Sequence, residues 1–228
     1  MIAAIQQPDF LPDLAYFDRI YRADVTVFLD TIKLPKRDTV NRARVLGQSG
    51  AGWFIVPLKR GGRMGQRICD AEIDYSKNWH KKQLVQLHHT YKNTPYFDDI
   101  FPFVQEIIES KPHYITELNI PLITGISERL QLAAAFMKTS GLSASGTGSQ
   151  LLIDIVGKAD CETLLVPAYA KNFIDQAAFD NAGIRIEYHN FKGIEYNQYR
   201  PGFTPGLSIF DVMCHCSRRT VHSFLAGR

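Results

Sequence analysis

Long hydrophobic runs are missing from this chain of 228 residues. None approaches the roughly 18–20 apolar residues that a membrane-spanning helix needs, so we expect no insertion into a membrane. The first residues also lack a basic stretch followed by an apolar one, and export is therefore not expected. Cysteine is scarce, with 4 residues in the chain, as is typical of reduced thiols in the cytosol. These absences together predict a cytoplasmic protein.

A strong net charge is also missing, since the formal value is only +3 at pH 7. That value does not by itself indicate a nucleic-acid partner. A local basic excess lies within residues 33–44. Sites for single-stranded nucleic acid interleave aromatic residues with basic ones, and this segment contains no aromatic residue. We therefore expect no nucleic-acid partner.

The sequence also lacks a second pair of metal ligands. Cys214-His215-Cys216 brings three ligand-type residues together, but a structural zinc site usually needs two pairs at C-x-x-C-like spacing. We interpret the motif as a helical turn with small buried thiols, and we predict no metal site. The sequence leaves the cofactor unknown and the oligomeric state open.

The beginning of the chain is typical of a β-loop-α-β unit. IAAI (2–5) and VTVFL (25–29) are apolar on both faces, like the central strands of a parallel sheet. Between them, Pro8 and Pro12 exclude helix, and the apolar residues that follow have helical spacing. A third strand is predicted at WFIVPL (53–58), and a further short one at 68–75.

A second β/α rhythm follows residue 150, with strands predicted at 163–167 and 184–191. We therefore predict an α/β fold with a Rossmann-like, parallel-rich sheet built from residues 1–75 and 150–191. Residues 78–138 have helical periodicity and are predicted to form a helical insertion or layer beside the sheet. The whole chain, 1–228, is expected to be one domain, with 78–138 as its helical subdomain.

Polar residues follow the first predicted strand. In open α/β sheets, ligands bind at the carboxyl ends of the parallel strands. Gln7 offers a donor and an acceptor there, and Pro8 stiffens its loop. Tyr16 lies in the helix that follows, beside Phe17. The alternative is a turn shaped by prolines with aromatic residues in the core. We predict that Gln7, Pro8 and Tyr16 contact the substrate, and we also expect the side chains of Tyr16 and Phe17 to lean towards the core.

The basic segment follows the second predicted strand. Arginine can bind phosphate or carboxylate in a bidentate manner, and an asparagine can add an amide. We predict a phosphate-bearing ligand here; the alternative is a solvated basic loop. The residues concerned are Lys36, Arg37, Asn41, Arg42 and Arg44.

Two residues are candidates for proton transfer. Asp30 directly follows a buried strand, and His80 has the side-chain type whose reference pKa is closest to neutrality. Gln198 and Asp211, near the end of the chain, are predicted to contact substrate. For Asp211 the competing interpretation is a helix cap, because Ser208-x-x-Asp211 stands at a predicted helix start.

Several of these motifs resemble the WbqC-like protein family over nearly the full length. The residues that carry the resemblance are Gln7, Pro8, Phe10, Pro12, Tyr16 and Phe17, then Asp30, Lys36, Arg37, Asn41 and Arg42, then Trp53, Pro57 and Leu58, then Asn78, Trp79, Tyr91, Pro95, Tyr96 and Phe97, and finally Tyr196, Gln198, Phe203, Leu207, Ser208, Ile209 and Asp211. The order of elements is also similar to the nucleotidylyltransferase-like fold. Tyr16-Phe17 stands where that fold carries His-x-Gly-His, so adenylyl transfer is not expected.

The resemblance implies a role in surface polysaccharide (O-antigen) biosynthesis. Some members are associated with transfer of glycine to an amino sugar, so the implied function is an acyl or aminoacyl transferase acting on an amino sugar. The small-molecule substrate would carry phosphate. The alternative is a non-catalytic module that binds a nucleotide sugar or an acyl carrier.

Overall fold

Two units, each assembled from three segments of the chain, are defined in the computed structural model, which describes residues 1–35, 39–47, 50–59 and 65–227. Unit 1 comprises Met1–Gln7, Ala15–Thr31 and Leu132–Lys192. Unit 2 comprises Pro8–Leu14, Ile32–Gln131 and Gly193–Arg228. The prediction of one domain with 78–138 as a helical subdomain stays a prediction.

Unit 1 is built on a five-stranded parallel sheet. Its strands are β1 (Ile2–Gln6), β2 (Val25–Phe28), β5 (Ala135–Lys138), β6 (Thr163–Pro167) and β7 (Arg185–His189), in the order β5-β2-β1-β6-β7. This is the Rossmann order, with the topological switch between β1 and β6. The predicted fold class, an α/β protein with a Rossmann-like parallel sheet, is confirmed.

Helices connect these strands, as parallel pairing requires. They are α1 (Leu14–Arg22), α5 (Thr139–Leu142), α6 (Gly148–Lys158) and α7 (Gln176–Asn181). Both central strands are buried along almost their whole length, which explains their continuous apolar sequence. Their side chains share a core with α6 and α7 through Ile155, Val156 and Phe179.

Strand β5 is a correction to the expected helix through residue 137. The helix α4 (Ile115–Arg129) ends earlier, and Gln131 adopts a left-handed φ of 57°. The Ala-rich sequence before β5 favours helix. Pairing of β5 with β2, and stacking of Phe136 on Phe28 with ring centroids 5.6 Å apart, outweigh that preference.

Unit 2 holds a separate antiparallel pair, β3 (Arg42–Gly47) and β4 (Gly50–Ile55). The predicted strand at 53–58 thus overlaps β4, but it belongs to this pair and is no part of the five-stranded sheet. Residues 68–75 were expected to form a strand. They contain a 3-10 turn (Ile68–Asp70) and isolated bridges to Leu58 and Tyr114.

The remaining helices belong to unit 2. They are α2 (Trp79–Tyr91), α3 (Phe97–Glu109), α4, α8 (Ile209–His215) and α9 (Arg218–Ala226). Of these, α2 and α8 pack against β3. Ser208 caps α8, because its Oγ accepts a hydrogen bond from the Phe210 amide at 3.1 Å. Among the described residues, no helix combines the length and the apolarity that crossing a membrane requires.

Candidate functional sites

The carboxyl end of β1 in unit 1 carries Gln6 and Gln7. The Gln6 amide oxygen accepts a hydrogen bond from Arg19 Nε at 2.6 Å, and the Gln7 carbonyl oxygen accepts one from the Tyr16 hydroxyl at 2.7 Å. Tyr16 is itself buried, as its predicted leaning towards the core requires. The Gln7 side-chain oxygen is buried and has no hydrogen-bond partner among the described residues. This oxygen is available to accept a hydrogen bond from a ligand. The predicted ligand role of Gln7 remains a proposal.

Asp30 stands beyond the carboxyl end of β2, and it is only 1% exposed. Its Oδ1 accepts hydrogen bonds from the Thr139 hydroxyl at 2.7 Å and the Ser140 amide at 2.8 Å, and its Oδ2 accepts one from the Ser140 hydroxyl at 2.6 Å. Thr139 follows β5 and begins α5. The carboxylate consequently ties the end of β2 to the start of α5, and its acceptor positions are largely occupied.

A third polar group in unit 1 was not anticipated from the sequence. The His189 ring, at the end of β7, contacts the carboxylate of Asp18 on α1 through Nε2. Arg22 donates to the same carboxylate oxygen at 2.9 Å. The Asp18–Arg22 spacing of four residues is a helical signal. The 171 residues between His189 and Asp18 leave no local pattern that could reveal their contact.

The Gln-Pro loop of unit 2 is held by side chains from distant segments. Asn119, fully buried on α4, donates from its amide nitrogen to the carbonyl oxygens of Pro8 and Val40, at 2.7 Å each. The Ser208 hydroxyl donates to the Leu11 carbonyl at 2.7 Å. Leu11 itself has a left-handed φ of 42°, which costs roughly 1–2 kcal/mol for a residue with a side chain. Pro8 therefore has a clear role in this loop, and its predicted substrate contact stays a proposal.

The basic segment divides into two parts. Lys36 and Arg37 lie outside the described residues. The other three make contacts within unit 2: Asn41 donates to the Val56 carbonyl at 2.8 Å, Arg42 lies 4.5 Å above the Trp53 ring, and Arg44 donates to the Pro205 carbonyl at 3.1 Å. These contacts supply structural roles for all three. Their predicted phosphate contacts are not tested by them.

His80 begins α2 and is 1% exposed, with edge contacts to the rings of Tyr75 and Trp79. Neither of its ring nitrogens has a hydrogen-bond partner among the described residues. Burial, together with nearby Lys111 and Lys81, lowers the pKa of His80. The ring is therefore neutral near pH 7 and keeps a lone pair that can accept a proton. His80 and Asp30 lie in different units.

Asp211 is the centre of a buried network in unit 2. Its exposed fraction is 0%, and it accepts hydrogen bonds from the hydroxyls of Tyr91, at 2.8 Å, and Tyr196. The Tyr91 hydroxyl accepts in turn from the Leu46 amide at 2.7 Å. One turn further along α8, His215 Nδ1 lies 3.4 Å from Asp211 Oδ1. Asp211 is therefore no helix cap, a role that Ser208 fills.

The burial of this network shifts the pKa values of its side chains. Desolvation first, and then the charge of Asp211, raise the pKa values of Tyr91 and Tyr196, so both phenols keep their protons. For His215, burial acts to lower the pKa, but the hydrogen bond and charge of Asp211 outweigh it and the pKa rises. Hydrogen bonds to the carbonyls of Asp211 and Gln198 act in the same direction. His215 and Asp211 thus form a buried pair, in which the aspartate favours the protonated form of the histidine.

A cavity of about 730 Å³ lies beside this network, entirely within unit 2. Its wall includes Tyr91 and His215 from the network and, from the loop that follows β7, Gln198, Tyr199 and Arg200. This volume is in the range of small-molecule sites, roughly 300–1,000 Å³. Gln198 and Asp211, both predicted from sequence, are thereby brought to one site, although Asp211 lies behind His215. The sequence did not single out Tyr199 or Arg200, and it gave Tyr91 and His215 no role in a substrate site.

Clusters of three or more side chains suited to hold a metal ion are not found among residues 1–35, 39–47, 50–59 and 65–227. Cys214 and Cys216 are buried free thiols on either side of His215. Burial raises the pKa of Cys214 well above the ordinary value and that of Cys216 to about 11. Both therefore remain thiols near neutral pH.

The parallel sheet of unit 1 and the network of unit 2 together define a mixed α/β protein with a ligand-sized cavity. The chain belongs to the WbqC-like protein family, whose model matches residues 7–223. It is also similar to the uncharacterized protein Rv1507c of Mycobacterium tuberculosis (strain ATCC 25618 / H37Rv). The two are 26% identical over 212 residues, which cover 92% of this chain and 91% of that protein.

Proposed function

We propose that this protein is a cytosolic transferase that moves an acyl or aminoacyl group, such as glycine, to the amino group of a sugar in surface polysaccharide biosynthesis. Membership of the WbqC-like family supports the proposal. The observation that carries it is the unit 2 cavity of about 730 Å³, which combines aromatic, amide and cationic side chains in one wall. Such a lining suits a polar substrate of sugar size.

The reaction requires positioning and one proton acceptor. The sugar amine attacks the acyl carbonyl carbon, a C–N bond forms, and the bond from that carbon to the leaving group breaks with its electron pair. The nitrogen loses one proton to a base, and the leaving group is protonated. Holding two substrates in reactive geometry supplies a large part of the rate, so no nucleophilic side chain is required.

Of the two predicted proton acceptors, His80 is the one that belongs to the same unit as the cavity, although it is not among the residues that line it. Its ring nitrogens have no hydrogen-bond partner among the described residues, and its lowered pKa keeps the ring neutral. A base must hold a free lone pair at the working pH. Asp30, in contrast, already accepts three hydrogen bonds from Thr139 and Ser140. An unpaired buried imidazole is costly to retain, which favours a functional reason for it.

A non-catalytic module that binds a nucleotide sugar or an acyl carrier is the second candidate. The observation in its favour is the engagement of the three buried carboxyl groups of the described residues. Asp18 contacts Arg22 and His189, Asp30 is held by Thr139 and Ser140, and Asp211 by two tyrosines and His215. A protein whose buried carboxyl groups serve its own structure needs only a cavity in order to bind.

A reconstituted transfer assay separates the two candidates. Purified protein is incubated with glycyl-adenylate or an acyl-CoA and with nucleotide-linked amino sugars, and mass spectrometry detects the acylated sugar. An enzyme should form this product, and His80→Ala should lose turnover while nucleotide-sugar affinity is unchanged. Asp30→Asn tests the other predicted base in the same way. Asp98→Asn, an exposed carboxylate on α3, is the matched control.

Thermal shift against the same compounds completes the test. A ligand that binds only the folded state raises the unfolding midpoint. Binding without product from any donor would support the module. Product formation that neither His80→Ala nor Asp30→Asn reduces would overturn the assignment of the proton acceptor and leave the transferase proposal intact.

A further inference from the structure

We propose that the unit 2 cavity holds the nucleoside diphosphate part of a nucleotide-linked sugar, with Arg200 on the phosphates and Tyr199 against the base. This inference rests on the proposed function, because it specifies the substrate of that reaction. It moves the phosphate site away from residues 36–44, where the sequence predicts it, to the loop that follows β7.

The charge of the cavity wall is the first observation. Arg200, His89 and His215 line it, and none of the described lining residues is acidic. Asp211 lies behind His215 and is hydrogen-bonded to Tyr91 and Tyr196. A cavity with a fixed cation and no facing carboxylate favours an anionic group. A planar guanidinium can bind a phosphate group through two parallel hydrogen bonds, as it can a carboxylate, and the nucleotide-linked sugar of the proposed reaction supplies phosphate.

The availability of Arg200 is the second observation. Within the described residues it makes no ion pair and no side-chain hydrogen bond. Arg42 and Arg44 differ from it, because Arg42 stacks over Trp53 and Arg44 donates to the Pro205 carbonyl. Arg200 can therefore give its donors to a ligand without breaking an existing contact.

The loop that carries Arg200 is built for a fixed geometry. The Gln198 side chain donates to the Thr204 carbonyl and accepts from the Thr204 amide, both at 2.9 Å. Asn197 Oδ1 accepts from the Tyr199 amide at 2.8 Å. These bonds hold Tyr199 at a left-handed φ of 51°, a conformation that side chains disfavour. Strained residues of this kind concentrate at ligand sites, where the surrounding structure maintains them. Gln198 is thus a positioning residue.

Tyr199 supplies a flat apolar surface. Its ring lies nearly parallel to that of His215, at an interplanar angle of 16° and a centroid distance of 6.0 Å. The residue is nevertheless 61% exposed. An exposed aromatic ring at the mouth of a cavity, adjacent in sequence to a free arginine, matches a ligand that joins a planar base to phosphate. Stacking of a base on such a ring is tolerant of base identity.

Calorimetric titration tests this inference on the full chain. The probes are UDP, ADP, GDP, CDP and dTDP, with inorganic pyrophosphate as the anion without a base. We expect at least one nucleotide to bind, and pyrophosphate to bind more weakly. Arg200→Gln should weaken the nucleotide about 10- to 100-fold, as loss of a hydrogen-bonded charge predicts. Tyr199→Ala should weaken it about 5- to 100-fold, and Tyr199→Phe should retain the affinity.

Arg219→Gln is the matched control, because Arg219 is an exposed arginine on α9. The inference is overturned if no nucleotide binds, if Arg219→Gln weakens binding as much as Arg200→Gln, or if pyrophosphate binds as tightly as every nucleotide. Circular dichroism spectra of the variants establish that they are folded. Nucleotide binding without any acyl transfer would refute the proposed transferase alone. Transfer whose KM is unaffected by Arg200→Gln and Tyr199→Ala would refute this site alone.

Discussion

Asp30 and Asp211 are both buried carboxylates, one in each unit, and they are satisfied in different ways. Asp30 accepts from two consecutive residues, Thr139 and Ser140, at the start of one short helix. Asp211 accepts from two phenols that come from different parts of the chain, and it pairs with a histidine. The first arrangement joins neighbouring elements of a sheet. The second places an ionic network in the wall of a cavity.

Burial alone therefore does not decide whether a carboxyl group has a structural role or a role at a ligand site. A buried acid with only backbone and hydroxyl donors is sufficiently explained by the strand and helix that it connects. A buried acid that raises the pKa of a histidine, where that histidine lines a cavity together with an available arginine, has consequences for whatever enters the cavity. Substitutions that remove each acid should separate these roles.

The largest effect is expected for Asp211→Ala. It leaves the Tyr91 and Tyr196 hydroxyls buried without their acceptor, whereas His215 Nδ1 keeps the Asp211 main-chain carbonyl at 2.8 Å. An orphaned buried hydroxyl costs about 1–3 kcal/mol, so the two together should cost about 2–6 kcal/mol. Tryptophan fluorescence during urea unfolding measures the loss in unit 2, because both Trp53 and Trp79 belong to that unit. Asp211→Asn keeps an acceptor oxygen and should lose less. If Asp211→Ala lowers the free energy of unfolding no more than Asp30→Ala does, the two carboxyl groups do not differ in their contribution to stability.

Asp30→Ala should have a smaller effect, about 1–3 kcal/mol, because the substitution orphans neutral donors. The Thr139 hydroxyl also keeps a second acceptor, the Phe28 carbonyl at 3.3 Å. Unit 1 contains no tryptophan, so circular dichroism during urea unfolding is the measurement. Thr139→Val removes the hydroxyl side of the same contact and should cost a similar amount. A negligible effect of both substitutions would show that this cluster does not stabilise unit 1.

His80→Phe should change the free energy of unfolding by about 0 to +1 kcal/mol in the stabilising direction, because an apolar ring replaces buried polar atoms without partners. The contacts with Tyr75 and Trp79 suit an aromatic ring. Transfer activity should be lost if His80 is the proton acceptor. Higher stability together with unchanged activity would leave His80 without a catalytic role. A clear loss of stability would point to a hydrogen bond of His80.

The smallest effects concern pH, and the two histidines of unit 2 act in opposite directions. The pKa of His215 is raised above 6.5, so its stabilisation is complete below about pH 6.5 and is lost as pH rises through the raised value. The pKa of His80 is lowered, so stability falls as pH drops below about 6.5 towards that lowered value.

Thermal unfolding followed by tryptophan fluorescence, between about pH 5 and about pH 8, measures both contributions. His215→Gln should abolish the loss of stability at alkaline pH. His80→Gln should abolish the loss of stability at acidic pH. The same pH profile in wild type and both variants would contradict the assigned shifts.

Local patterns were sufficient for much of the fold. The apolar runs of β1 and β2, the prolines between them and the spacing within α1 predicted the first β-loop-α-β unit. The strand at 53–58 was recognised from its composition, but no local pattern could show that its partner is β3. Strand β5 was missed because its sequence favours helix and only its pairing with β2 decides otherwise.

The candidate site was less accessible to sequence reasoning. Gln198 and Asp211 were predicted from the last segment of the chain, which the family resemblance includes, but 120 positions separate Asp211 from Tyr91 and no spacing rule connects them. Tyr199 and Arg200 lacked a signal because a tyrosine beside an arginine in a turn-rich segment is common. Tyr199 is distinguished by its left-handed φ, and both residues are distinguished by lining a cavity. These are properties of the folded loop.

The division of each unit into three segments has a consequence for the order in which the protein is made. Strand β1 pairs with β2, about 20 residues later, and with β6, which begins at Thr163. At a synthesis rate of about 5–20 residues per second, the second partner of the central strand follows the first after roughly 7–28 seconds. During that interval one edge of β1 is exposed to wrong partners. We therefore expect the nascent chain to need protection of that edge, by a chaperone or by the ribosome, for longer than its size alone implies.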